Sequence, residues 1–121
     1  MSAASLQDSV ALAERIAAIA ADKKAIDIRV IDLRGIVSYT DFFVICSGGS
    51  ERQAKAIHDA IYEALKHDEE RLLPRRTEGN RESRWILLDY WDVVAHIFTP
   101  EAREYYRLES LWGEAPVRSV G

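Results

Sequence analysis

The sequence predicts a single α/β domain with a mixed β-sheet and flanking helices, on three observations. Apolar residues recur at three- and four-residue steps over 5–22 and 51–66, the spacing of a helix face. Segments 26–33, 42–47, 85–90 and 93–98 instead alternate or run continuously apolar and β-prone, as strands do. The last two strands are separated by only two residues, which makes that pair antiparallel. The expected order is α-β-β-α-β-β-α. One domain spans 1–121, with its core over about 5–112 and a tail over 113–121.

The first helix, 5–22, repeats Leu6, Val10, Ala13, Ala17 and Ala20; Ser5 is its expected cap, with Asp8 as the capping-box partner. Ile26, Ile28 and Val30 then alternate with polar residues in a strand ending near Leu33, broken by Arg34-Gly35. Phe42 to Ser47 reads as a strand buried on both faces. Gly48-Gly49 turns the chain into the helix 51–66, capped by Ser50 with Gln53 completing the box. The stretch 71–84 contains Pro74 and Gly79 and reads as loop, with room for a short edge strand. The hairpin follows, its turn at Trp91-Asp92 lacking the usual glycine or asparagine. Thr99 caps a last helix with Pro100 at its first position, running to about Leu108, and the tail beyond Trp112 reads as frayed.

A chain of 121 residues can bury a core without staples, and 48% apolar with 30% charged residues is a globular composition. No apolar run approaches the ~18 residues of a membrane span. Asp8 and Glu14 argue against a secretory or transit segment. The lone Cys46 fits a reducing cytoplasm, the expected location. The net charge of -4 is unevenly placed: 71–84 carries +3 and the remainder -7. An acidic body disfavours coating of nucleic acid and suits a basic protein partner.

An ordered set of short motifs carries a resemblance. It comprises Asp22-Lys23-Lys24-Ala25-Ile26-Asp27-Ile28, Asp32-Leu33-Arg34, Thr40-Asp41-Phe42-Phe43-Val44-Ile45-Cys46-Ser47-Gly48 and Ser50-Glu51-Arg52-Gln53. Glu78-Gly79, Trp85-Ile86-Leu87-Leu88-Asp89-Tyr90, Asp92-Val93-Val94-Ala95-His96-Ile97-Phe98 and Tyr106-Arg107-Leu108-Glu109-Ser110-Leu111-Trp112 complete it. Over roughly 6–112 the chain resembles the ribosomal silencing factors, also called Iojap-like proteins. The resemblance implies a nucleotidyltransferase-like fold without catalytic residues and without a cofactor. It implies binding to large-subunit ribosomal protein number fourteen, steric block of small-subunit joining, and translational repression when nutrients are scarce. Position 91 is often glycine in such proteins, so Trp91 puts the turn geometry in question.

The hairpin supplies the leading candidate surface. With Trp91-Asp92 as the turn, Trp85, Leu87 and Asp89 share a face with Val94, His96 and Phe98. On one reading Trp85, Leu87, Asp89 and His96 form part of a docking face, with Asp89 meeting a partner's cation. On the other this face packs under the last helix and Asp89 is satisfied locally. Tyr105, Leu108 and Trp112 lie at helical spacing and either close the core or anchor a ribosomal partner or a homodimer. Arg75, Arg76 and Arg81 either touch ribosomal RNA or stay solvated beside Glu78 and Glu82.

Chemistry has weaker footing. Gly48-Gly49-Ser50 resembles a nucleotidyltransferase turn, but the carboxylate pair that holds its metal is missing. Cys46 and His96 could pair only if their strands were neighbours and no motif surrounds either. His58 and His67 are half a turn out of phase on a helix and cannot share an ion. A nucleotide-binding enzyme and a homodimeric interaction domain stand as the alternatives to a ribosome-binding module.

Overall fold

The computed structural model describes residues 8–79 and 84–120. Six strands form one mixed sheet: β1 (Ile26–Asp32), β2 (Phe42–Ser47), β3 (Arg76–Gly79), β4 (Trp85–Asp89), β5 (Val93–Phe98) and β6 (Val117–Val120). Their spatial order is β3-β4-β5-β2-β1-β6. Only β2 and β5 are parallel neighbours; the other four pairings are antiparallel. The helices are α1 (Ser9–Asp22), α2 (Glu51–Lys66) and α3 (Pro100–Tyr106), and a 3₁₀ helix follows over Leu108–Trp112.

Each helix starts where a side chain satisfies its free N–H groups. Asp8 Oδ1 accepts from Val10 N–H at 2.9 Å, so the described α1 is capped by Asp8; Ser5, the expected cap, lies outside the described residues. Ser50 caps α2, as expected, accepting from Gln53 N–H at 3.1 Å. Gln53 does not complete a capping box: its amide reaches across to the carbonyl of Lys23 and ties α2 to the end of α1. Thr99 caps α3, with Pro100 at the first position. Gly48 is required by close approach, because a Cβ there would stand 2.5 Å from the Ala54 backbone nitrogen.

The sheet separates two apolar layers. Leu12, Ile16 and Ile19 of α1 with Ala54, Ile57, Ile61 and Leu65 of α2 cover one face, against Val44, Cys46, Leu88, Ala95 and Ile97. The opposite layer, around Ile31, Leu33, Phe43, Ile45, Val94 and Phe98, is joined among the described residues by Ala102, Ala115 and the half-buried Val37, Trp85, Leu87, Leu108 and Trp112. Among the described residues that second face is thinly covered.

Two expectations are corrected. The tail is not frayed: Val117–Val120 pairs with β1, and Asp32 N–H donates to Pro116 O at 2.9 Å to start the ladder. The last helix stops at Tyr106 because Arg107 takes a left-handed φ of 50°. Tyr105 therefore does not share a helical stripe with Leu108 and Trp112.

Candidate docking face

The β4–β5 hairpin has the expected register, Ile86 opposite Ile97 and Leu88 opposite Ala95. Its turn explains the question raised by Trp91. Asp92 N–H donates to Tyr90 O at 2.9 Å across a residue with φ of 70°, a tight γ-turn of positive φ that a side chain rarely adopts. Two contacts hold it there: Trp91 N–H donates to Asp89 Oδ1 at 2.9 Å, and the Arg75 guanidinium lies 5.8 Å from the indole centroid.

Asp89 is 2% exposed and engaged within its own chain. Arg75 Nε donates to Oδ2 at 3.0 Å, Arg76 Nε stands 3.3 Å from the same oxygen, and Arg75 N–H donates to the Asp89 carbonyl at 2.8 Å. A partner's cation is not needed, so the reading in which Asp89 reaches outward gives way to local satisfaction. Arg75 and Arg76 both pair with Asp89, and Arg76 also pairs with Glu78 at 3.0 Å, while the two side chains stay 43% and 58% exposed. Arg81 lies outside the described residues.

His96 is also buried, at 5% exposure. The Trp85 indole N–H donates to its Nδ1 at 3.1 Å, while Nε2 has no hydrogen-bond partner among the described residues. Burial pushes its pKa down to about 3, against a small opposing pull from Asp89. A neutral imidazole thus works here as an aromatic ring and an anchor for Trp85.

These rings belong to a continuous belt across the thinly covered face. Centroids are 5.0 Å apart for Tyr105–Tyr106, 4.6 Å for Tyr106–Trp85 and 6.0 Å for Trp85–His96. The belt continues over His96–Phe43 at 4.5 Å and Phe43–Trp112 at 5.3 Å. Tyr105, at one end, is 80% exposed, and Leu111, beside Trp112 in sequence at the other, is 65% exposed. Leu87 and Leu108 lie half-buried beside it. Of the candidate residues, Trp85, Leu87, Tyr105, Leu108 and Trp112 are thus partly or fully accessible, and Asp89 and His96 support them from beneath.

Phe43 and Tyr106 were missed as belt members; an apolar strand and a helix stripe gave them no separate signal. Arg103 was also missed. Its guanidinium makes paired bonds to Glu109 at 2.9 and 3.1 Å and donates to Ser47 Oγ at 3.0 Å. This buried cation pins the 3₁₀ helix, and with it Leu108 and Trp112, onto the sheet.

Among the described residues the alternative chemistries find no assembled site. Although β2 and β5 are neighbours, His96 lies opposite Ile45 and Cys46 opposite Ile97, so alternation puts the thiol and imidazole on opposite faces. Burial raises the Cys46 thiol to about 12, far from a thiolate. At the α2 N-terminus Glu51 occupies the first turn with Arg84 Nε 3.7 Å from its carboxylate, and Glu101 stands in the first turn of α3. Carboxylates there already answer the helix dipole and repel a phosphate. Among the described residues no group of three His, Cys, Asp or Glu could hold a metal ion. No described helix is long and apolar enough to cross a membrane.

Comparison with known proteins agrees with this architecture. A crystal structure from Chromobacterium violaceum superposes with a TM-score of 0.76 at 32% identity, covering 97% of this chain and 94% of that one. One from Bacillus halodurans gives 0.74 at 36% identity, covering 94% and 99%. The ribosomal silencing factor RsfS of Bacillus subtilis is 44% identical over 107 residues, 88% of this chain and 89% of its own. The family model described as "Ribosomal silencing factor during starvation" matches residues 6–121. This chain belongs to the ribosomal silencing factor family.

Proposed function

We propose that this protein is a cytoplasmic translational silencer that docks on the large ribosomal subunit through ribosomal protein number fourteen and sterically blocks small-subunit joining. The observation that carries the reading is the aromatic belt from Tyr105 through Trp85 to Phe43 and Trp112 on the thinly covered sheet face. Accessible tyrosine and tryptophan rings with packed, rigid undersides are the usual anchors of protein interfaces. The acidic body, -4 over the chain, favours encounter with a basic ribosomal protein. Family membership supplies the ribosome as the place of action. The protein acts by bulk: a thiol held protonated and an imidazole held neutral by burial are poor nucleophile and base.

The test adds purified protein to separated subunits and follows ribosome assembly by gradient sedimentation. The wild type co-sediments with the large subunit and depletes intact ribosomes. Trp85→Ala, with its fold confirmed by circular dichroism, weakens binding to the isolated ribosomal protein by roughly 30-fold, the loss of a ~2 kcal/mol anchor. Undiminished ribosome formation in the presence of excess wild-type protein rejects the proposal.

A further inference from the structure

Strand β6 pairs regularly with β1, yet its side chains bury little. Val117, Arg118 and Ser119 are exposed, and Val120 packs only partly against the core. Cross-strand partners share a face, so Arg118 and Val120, opposite Val30 and Ile28, lie on the α1 side, where Arg118 pairs with Glu14. The strand contains no aromatic residue and adds no ring to the belt. What it holds is the segment before it. Asp32 N–H donates to Pro116 O at 2.9 Å, and Ala115 is buried in the layer that contains Phe43 and receives Trp112. Ala115 N–H donates to Trp112 O at 3.0 Å, closing a turn that leaves 113–116 little slack.

On the other side of Trp112, the Glu109 carboxylate is gripped by Arg103 and lies 3.8 Å from Arg29 of β1. No residue of the 3₁₀ helix between these points is fully buried, and so short a helix does not hold itself. Trp112 therefore stands between two fixed points, Glu109 and Ala115-Pro116, both secured against β1. We infer that β6 is a tether that positions Trp112 for docking. Its pairing with β1 sets the indole edge-on to Phe43, 5.3 Å between centroids and 82° between planes, in the free protein. An anchor ordered in advance removes its ordering cost from association. The inference rests on the reading of the belt as the docking face. The strand acts through Trp112 and does not itself touch the partner.

The ladder supplies the variants. Antiparallel bonds fall at alternate pairs; with Asp32 and Pro116 bonded, Val30 and Arg118 are the next such pair. Arg118→Pro removes that N–H and breaks the tether, whereas Arg118→Ala removes only the ion pair with Glu14. A Gly-Ser-Gly insertion between Gly113 and Glu114 leaves β6 paired but gives the link slack, and it decides should Arg118→Pro unfold. One readout needs no ribosome: nitrogen relaxation of the indole N–H groups, with the Trp112 signal assigned by Trp112→Phe. The Trp112 indole becomes mobile in Arg118→Pro and in the insertion, and stays rigid in Arg118→Ala. The Trp85 indole, held by His96, stays rigid in all three and reports an intact sheet. The other readout is co-sedimentation with large subunits. Both tether variants weaken binding by roughly 10-fold. In a Trp112→Ala background each adds less than about 3-fold, because its effect runs through that side chain. A Trp112 signal as rigid in both tether variants as in the wild type overturns the inference, and so does a loss of binding that is undiminished without Trp112. The two readings fail differently: a wild type that does not bind large subunits rejects the docking face and the tether's purpose together. Intact wild-type binding with a rigid Trp112 in the tether variants rejects the tether alone.

Discussion

Among single side chains, His96 shows how a polar group can serve a docking face without being on it. Its Nδ1 accepts the Trp85 indole N–H, which fixes the indole over Phe98 at a 5.1 Å centroid distance and leaves the proton on Nε2. That Nε2 is buried without a partner among the described residues, so adding a second proton would place a charge in an apolar layer. The folded pKa of about 3 lies below the ordinary value of 6.5. Between these values the unfolded chain binds more protons than the folded one, and stability rises with pH. The contribution is complete above pH 6.5 and is lost as the pH falls towards 3. Thermal melts of the wild type therefore weaken between pH 6.5 and 4 more steeply than those of His96→Phe, by at most about 1.4 kcal/mol per pH unit. The carboxylates titrate in both proteins and cancel in the comparison. Parallel slopes would show that water reaches the imidazole.

At the scale of elements, the β3–β4 pair is closed by a clamp whose two sides are not equivalent. Asp89 is buried, with its side chain 3% exposed, whereas Arg75 and Arg76 are 43% and 58% exposed. Removing the buried charge leaves two arginines that water can solvate, and asparagine still accepts the Trp91 N–H. Removing the arginines strands a carboxylate. Asp89→Asn is expected to cost about 1–2 kcal/mol, and the Arg75→Ala/Arg76→Ala double variant about 3–5 kcal/mol. Urea unfolding midpoints give the order, and the reverse order would mean that the carboxylate is wet. Period-two alternation made the hairpin and its two faces legible in the sequence, because a single shift would exchange the faces. The clamp was half legible: a carboxylate on an aromatic face needs a cation, but alternation alone does not say whose. Val117–Val120 was not legible. Its burial is slight, and β1's open edge supplies the reason it is a strand. The Tyr105–Leu108–Trp112 stripe misled because a left-handed arginine at 107 carries no local signal, unlike glycine. Arg103 reads as a surface helix residue, and its partners Ser47 and Ile26 lie 56 and 77 positions away.

Across the whole molecule, the sheet divides stability from recognition. The face under α1 and α2 holds the larger dry layer, where Ile57, Ile61 and Leu65 are at most 1% exposed. The other face gains from α3 and the 3₁₀ helix a partial cover whose outer residues, Tyr105 and Leu111, stay mostly exposed. Ile57→Ala opens a cavity and is expected to cost about 2–5 kcal/mol of stability. The affinity of the molecules that remain folded should not change, because Ile57 packs in the layer on the far side of the sheet from Trp85, Phe43 and Trp112. Tyr105→Ser with Leu111→Ser should shift stability by no more than about 0.5 kcal/mol for each substitution. The same pair should weaken docking to the large subunit by roughly 30-fold. Denaturant melts and co-sedimentation on the same samples give both quantities. The informative result is the crossed pattern, since general destabilisation would lower both together. If the stability-neutral pair docks like the wild type, the exposed end of the belt is solvent-facing in the complex. The contact then lies further along the rings, at Trp85 and Leu87.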